Sequence, residues 1–160
     1  MDQDFAFVAD TILSLTYTFS IGIVPGNTYS FKVLSVNSVG QGQLSPLVSR
    51  IAATVPNPPT NLQIISQSTT SISFFWSEAS NNGGSIVTDF QVWWNAGSGS
   101  ILSIKVASNG KTPTTATITG SDIQPDKDYQ VAISSLNSVG YSALSSTLTI
   151  ISANVPSAPG

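Results

Sequence analysis

Apolar and polar residues alternate along most of this chain with a period of two, and no stretch carries the 3.6-residue period of a helix. Leu13, Leu15, Tyr17, Phe19, Ile21 and Ile23 take every second position, which predicts one or more strands with a single buried face within residues 1–24. Phe5 to Val8 reads as the end of an earlier strand. Pro25-Gly26-Asn27 is a turn, because proline presets φ and glycine and asparagine accept positive φ. Beyond it, Tyr29, Phe31, Val33 and Ser35 point one way along a strand, and Lys32 and Leu34 the other. Asn37 to Gly40 forms the next turn. Leu44 to Ala53 forms the next strand, which Pro46 marks as an edge or a bulge.

Val55-Pro56-Asn57-Pro58-Pro59 interrupts the pattern. Three prolines in four residues cannot continue a ladder and hold the chain stiff and extended. Alternation then resumes. Leu62 and Ile64 begin it, followed by Ile72, Phe74 and Trp76, and then by Phe90, Val92 and Trp94. Ser80 to Gly84 and Ala96 to Ser100 are breaker-rich loops. Strands over 101–106, 114–119, 129–135 and 144–151 complete a set of seven between residues 60 and 152. Seven short strands at this spacing predict an all-β fold, a seven-stranded antiparallel sandwich of two sheets.

The chain also repeats itself at an offset of 100. Residues 25–56 and 125–156 align without a gap and share 13 of 32 positions, among them Pro25, Tyr29, Asn37, Ser38, Val39, Gly40 and Ser45. In each copy a proline precedes a tyrosine by four residues, and the strand that the tyrosine opens runs into Asn-Ser-Val-Gly.

Residues 57–155 resemble a fibronectin type III domain, a member of the immunoglobulin-like sandwiches. Trp76 matches the core tryptophan of that family's second strand, and Asn82-Gly83-Gly84 followed by Phe90-Gln91-Val92 matches its second loop and third strand. Ile123-Gln124-Pro125-Asp126-Lys127-Asp128-Tyr129 resembles the family's Leu-x-Pro-Gly-x-x-Tyr corner, with Asp126 where glycine is usual. Ile23 to Tyr29 keeps that glycine as Gly26. The resemblance implies that Trp76, Tyr29, Tyr129, Pro25 and Pro125 define the fold. The tyrosine ring would fill one end of the sandwich while its hydroxyl bonds nearby backbone. It further implies a tandem array: residues 1–55 as the C-terminal part of one domain, 56–155 as a complete domain, and 156–160 as the start of a linker. On this reading the missing strands of the first unit belong to a longer chain, or are supplied by another copy.

Composition narrows the functional classes. Only 8% of residues are charged, and polarity comes from 27 serines and 16 threonines. Lys and Arg number 5 with no cluster and the net charge is −3, which excludes a nucleic-acid partner. Cysteine and histidine are absent, so disulfides and thiolate or imidazole metal ligands are ruled out. No apolar run reaches the length of a membrane span, and the Met1-Asp2-Gln3-Asp4 start with Asp10 does not fit a secretory signal.

Candidate chemistry is sparse. Asp122, Asp126 and Asp128 crowd the second corner, but without the spacing of a calcium loop they read as a solvated turn. Glu78 and Asp89 flank a loop and read as solubilising groups rather than a catalytic pair. The serines lack a histidine base and a Gly-x-Ser-x-Gly elbow. The expectation is therefore no enzymatic activity, no cofactor and no metal. Trp93 and Phe75 fall on the outward side of their strands and are candidate contact surface, against the plainer alternative of partial cover by neighbouring side chains. Neither an Arg-Gly-Asp triplet nor an Asn-linked glycosylation sequon occurs. These readings point to a structural or adhesive module of a longer repetitive protein that is extracellular or filament-forming, placed outside the cell or at the cell surface, whose partners are other protein domains, including copies of itself. An accessory spacer of a secreted enzyme and an intracellular scaffold are the alternatives.

Overall fold

Strands form along nearly all of the alternating stretches from Thr28 onward. The computed structural model describes residue 6 and residues 12–99, 102, 104–106, 110–112, 114–121 and 123–153. Among these there are nine strands and no helix: β1 (Thr28–Phe31), β2 (Val48–Ile51), β3 (Thr60–Gln67), β4 (Ser71–Ser77), β5 (Asp89–Trp94), β6 (Ile104–Val106), β7 (Thr115–Thr119), β8 (Asp128–Leu136) and β9 (Leu148–Ile151). All pairings are antiparallel.

The seven strands from β3 to β9 make two sheets. One is ordered β3-β4-β7 and the other β6-β5-β8-β9. Alternation dictates which side chains meet between them. Along β4, Ile72, Phe74 and Trp76 are buried while the residues between them are partly exposed. Facing them from the other sheet are Phe90, Val92, Trp94, Tyr129, Val131, Ile133 and Ile150, in a single core with Val87, Ile118 and Ile123. The aromatic rings set its centre: Trp76 meets Phe90 edge-on at 5.5 Å and lies 6.2 Å from Phe74. The all-β antiparallel sandwich expected from the alternation is thus the architecture observed.

Beyond β8 the ladder is interrupted, and hydroxyls replace part of it. The backbone N–H groups of Ser142 and Ser145 donate to Ser135 O and Ile133 O, both at 2.8 Å. In return, the buried N–H groups of Ser135 and Ile133 donate to the side-chain oxygens of Ser142 and Ser145, both at 3.0 Å. A serine hydroxyl can accept in this way while the backbone follows an irregular path. Ser145→Ala leaves the Ile133 N–H buried and unpaired and is expected to cost about 1–3 kcal/mol. Urea denaturation checks this, and a loss no larger than that of a surface serine would refute it.

Within residues 12–55 the described backbone forms the β1–β2 hairpin and not a second sandwich. The hairpin repeats β8–β9 at the offset of 100. Thr28 pairs with Ile51 as Asp128 pairs with Ile151, and the isolated bridge Val36–Gln41 matches Leu136–Tyr141. One half of the hydroxyl device recurs too, with Val33 N–H donating to Ser45 Oγ at 3.1 Å, while Gly42 stands where the other half has Ser142. One departure changes the chemistry: where Ile150 is buried in the sandwich, the hairpin carries the exposed Arg50.

The strand expected before Pro25 is not found among residues 12–24. Leu13, Leu15 and Ile21 are exposed, and Phe19 packs instead against the rings of Tyr29 and Phe31 at 6.5 and 6.2 Å. Alternation marks an apolar face, but a strand also needs a neighbour to satisfy its N–H and C=O groups. The described residues provide none there. The earlier strand expected at Phe5 to Val8 lies outside the described residues.

Candidate functional site

The two tyrosine corners are built alike and buried differently. In the sandwich, the Gln124 N–H donates to Tyr129 Oη at 2.7 Å. Asp126 N–H donates to Ser152 O and Ser152 N–H to Lys127 O, at 2.9 and 3.0 Å, closing the turn that Pro125 introduces. The Tyr129 ring is 1% exposed and stacks on Trp94 with centroids 5.7 Å apart and planes 16° apart. In the hairpin, Val24 N–H donates to Tyr29 Oη at 2.9 Å, and that hydroxyl donates to Gly22 O at 3.3 Å. Gly26 and Ala52 repeat the turn bonds beyond Pro25, each at 2.8 Å, but Tyr29 is only half-buried. Asp126 adopts φ of 57°, the left-handed conformation that Gly26 adopts at 89°, so aspartate fills the family's glycine position at some steric cost.

Trp93 and Phe75 do not share a surface. Both are partly covered, and each lies on the outer face of its sheet, Phe75 on β4 and Trp93 on β5. The two outer faces are on opposite sides of the sandwich. Trp93 stands opposite Ala132, whose small side chain leaves room for the indole, and the indole N–H is itself buried. The structure therefore brings neither residue into a cluster with the other.

The carboxylates are likewise separated. Glu78 pairs with Lys111 at 3.1 Å, and Asp89 Oδ1 accepts the N–H of Phe90 at the start of β5. Asp126 and Asp128 are exposed at the corner, whereas Asp122 lies outside the described residues. Among the described residues there is no group of three carboxylates placed to hold a metal ion. No described helix is long and apolar enough to cross a membrane.

Two asparagines with work to do escaped the sequence reading. Asn95, 1% exposed, accepts the N–H groups of Gly97 and Gln130 at 3.1 and 3.0 Å and donates to Gly99 O, tying the β5–β6 turn to β8. Asn137, 4% exposed, lies in the second Asn-Ser-Val-Gly turn and reaches beyond it. Each stands beside glycines in a stretch that a loop reading alone explains. The repetition of Asn37 at 137 was the available signal for the second; nothing in the sequence singles out the first.

Comparison with known proteins agrees with this geometry. Residues 57–151 match the fibronectin type III domain. A Kelch domain-containing protein of Saccharolobus solfataricus is 28% identical over 128 residues, 80% of this chain and 16% of the relative. Chitinase A1 of Niallia circulans is 27% identical over 164 residues, 97% of this chain and 22% of the relative. The chain therefore spans about a fifth of the length of these two curated relatives. A solved fragment of titin superposes with a TM-score of 0.63 at 23% identity, covering 78% of this chain and 41% of the fragment. At that identity the likeness concerns the fold.

Proposed function

The chain belongs to the fibronectin type III family, and we propose that it is a non-catalytic structural or adhesive module of a longer, repetitive protein. The observation that carries this is the recurrence, at an offset of 100 residues, of one hairpin with the same register, tyrosine corner and Asn-Ser-Val-Gly turn. Recurrence of structural parts is what a chain of successive domains requires. On this reading residues 1–55 close one domain, 56–155 form the next, and 156–160 begin a further linker. Its partners are the neighbouring domains, including copies of itself, and its setting is extracellular or at the cell surface.

A second reading is favoured by the likeness to a chitinase: the module acts as a spacer beside a catalytic domain. An enzyme whose substrate is an insoluble polymer meets it outside the cell, which supports the same setting. The two readings separate by replacement. In the protein that carries this chain, residues 57–153 are exchanged for an unrelated fibronectin type III domain of equal length. A spacer tolerates the exchange, whereas an adhesive module loses its binding. Trp93→Ala sharpens the test, since an adhesive surface on the outer face of β5 would lose its largest aromatic. Unchanged adhesion in both variants would remove the adhesive reading, and activity lost on exchange would remove the spacer.

A further inference from the structure

Two loops at one pole of the sandwich close around the chain that leaves the hairpin. Thr54 N–H donates to Gly83 O at 2.8 Å, and Asn57 N–H donates to Asn81 O at 3.0 Å. The Asn137 amide donates to Thr54 O at 2.7 Å and to Asn82 O at 2.9 Å. Its Oδ1 accepts the N–H groups of Val139 and Gly140, so every hydrogen-bonding site on this buried side chain is engaged. The two loops are also tied to each other by Ser85 Oγ and Ser138 Oγ at 2.8 Å.

The glycines explain how the backbones come so close. A Cβ on Gly83 would lie 2.3 Å from Thr54 O, and one on Gly84 would lie 2.5 Å from Gly26 N. Their φ values, 73° and 83°, disfavour other residues as well. Gly84 thus meets the tyrosine corner of the hairpin, and Gly83 meets the strand end that follows it.

The hairpin carries the same turn without an occupant. Asn37 Oδ1 accepts Val39 and Gly40 N–H groups at 2.9 and 3.1 Å, as Asn137 does. Yet Asn37 is exposed, and its amide nitrogen makes no bond among the described residues. An open groove of about 360 Å³ borders this turn between Ser35 and Gly42. Beside the second turn, Val55 Cγ1 comes within 3.5 Å of the Cβ position of Gly140.

We propose that the loops 81–84 and 137–140 form a socket for the end of the preceding unit, residues 52–55 with the Pro25-Gly26 corner. The socket holds hairpin and sandwich at one fixed orientation. Its ligand is backbone: the N–H and the carbonyl of Thr54 in an extended strand end, with the Asn57 N–H beyond the proline. This assignment is independent of the choice between spacer and adhesive module, and its failure would leave both standing.

The absence of cysteine makes the test direct, because two introduced cysteines are the only labelling sites. Nitroxides at Arg50→Cys and Gln67→Cys, both exposed, report the distance between hairpin and sandwich by double electron–electron resonance on the full 160-residue chain. The expected result is one narrow distribution. Asn137→Asp keeps the acceptor for Val139 and Gly140 but loses both donors, and raises the undocked population by about tenfold. Asn37→Asp makes the same change in the unoccupied turn and leaves the distribution unaltered. Thr54→Pro, outside both sheets of the sandwich, removes the bond to Gly83 O and broadens the distribution as Asn137→Asp does. Tryptophan emission monitors the sandwich; should Asn137→Asp unfold it, Thr54→Pro decides. A broad distribution in the parent, or distributions in Thr54→Pro and a folded Asn137→Asp as narrow as in Asn37→Asp, overturns the proposal.

Discussion

Tyr129→Ala is expected to destabilise the sandwich by about 3–5 kcal/mol, while Tyr29→Ala leaves its unfolding transition unchanged within about 0.5 kcal/mol. The two tyrosines share a motif, a turn and a hydrogen bond to backbone, so motif alone would assign them equal weight. Burial separates them. Tyr129 is 1% exposed, stacks on Trp94, and has its Cε1 3.1 Å from the Cβ position of Gly97. Its removal opens a cavity that these neighbours cannot collapse into without shifting the β5–β6 turn. Tyr29 is half-buried on a two-stranded hairpin, which adds little cooperative stability of its own. Tyr129→Phe keeps the ring and loses the hydroxyl that accepts the Gln124 N–H, at a cost of about 1–2 kcal/mol. Urea denaturation followed by tryptophan emission measures all three. Equal losses for the alanine variants at 29 and 129 would contradict the burial argument.

Trp76→Ala is the second large effect, about 3–5 kcal/mol. The indole lies at the centre of the core, in contact with Phe74 and edge-on to Phe90, so truncation removes the meeting point of both sheets. The conservative variant is informative. The Trp76 indole N–H is buried with no acceptor among the described residues, so its loss costs nothing in hydrogen bonding. Trp76→Phe therefore forfeits only ring volume, and about 1–2 kcal/mol is expected. Thermal unfolding of both variants checks this. A phenylalanine variant as damaged as the alanine one would show that the fold depends on the indole's shape rather than on apolar volume.

How far the sequence can be read depends on whether a feature is local. The β4 alternation was legible because each buried residue is flanked by partly exposed ones, and periodicity carries that directly. The same argument misplaced a strand before Pro25, since period two records a preference and not the presence of a pairing partner. Tyr129 was legible through its corner. The failure of Tyr29 to be equally buried was not, because burial is supplied by the opposing sheet. Trp93 and Phe75 look equivalent by alternation, yet only the topology shows that they face opposite ways. Asn137 is the clearest loss. Its turn was visible as a repeat, but its bonds to Thr54 and Asn82 span 83 and 55 residues, a distance no local pattern encodes.

The two hairpins also show what drift leaves behind. Their 32 aligned positions keep 13 identities, including the tyrosine, asparagine and serine whose side chains hold backbone groups. A side chain bonded to a backbone atom has a partner that no substitution elsewhere can alter, and at 29, 37 and 45 it is unchanged between the copies, whereas Ser142 has Gly42 as its counterpart. Side chains that pack only on other side chains are freer to change, and the buried Ile150 against the exposed Arg50 marks one place where the copies differ. Copies of this unit can therefore diverge until little overall likeness is left, while the turn, the corner and the hydroxyl bridge still give the same backbone path.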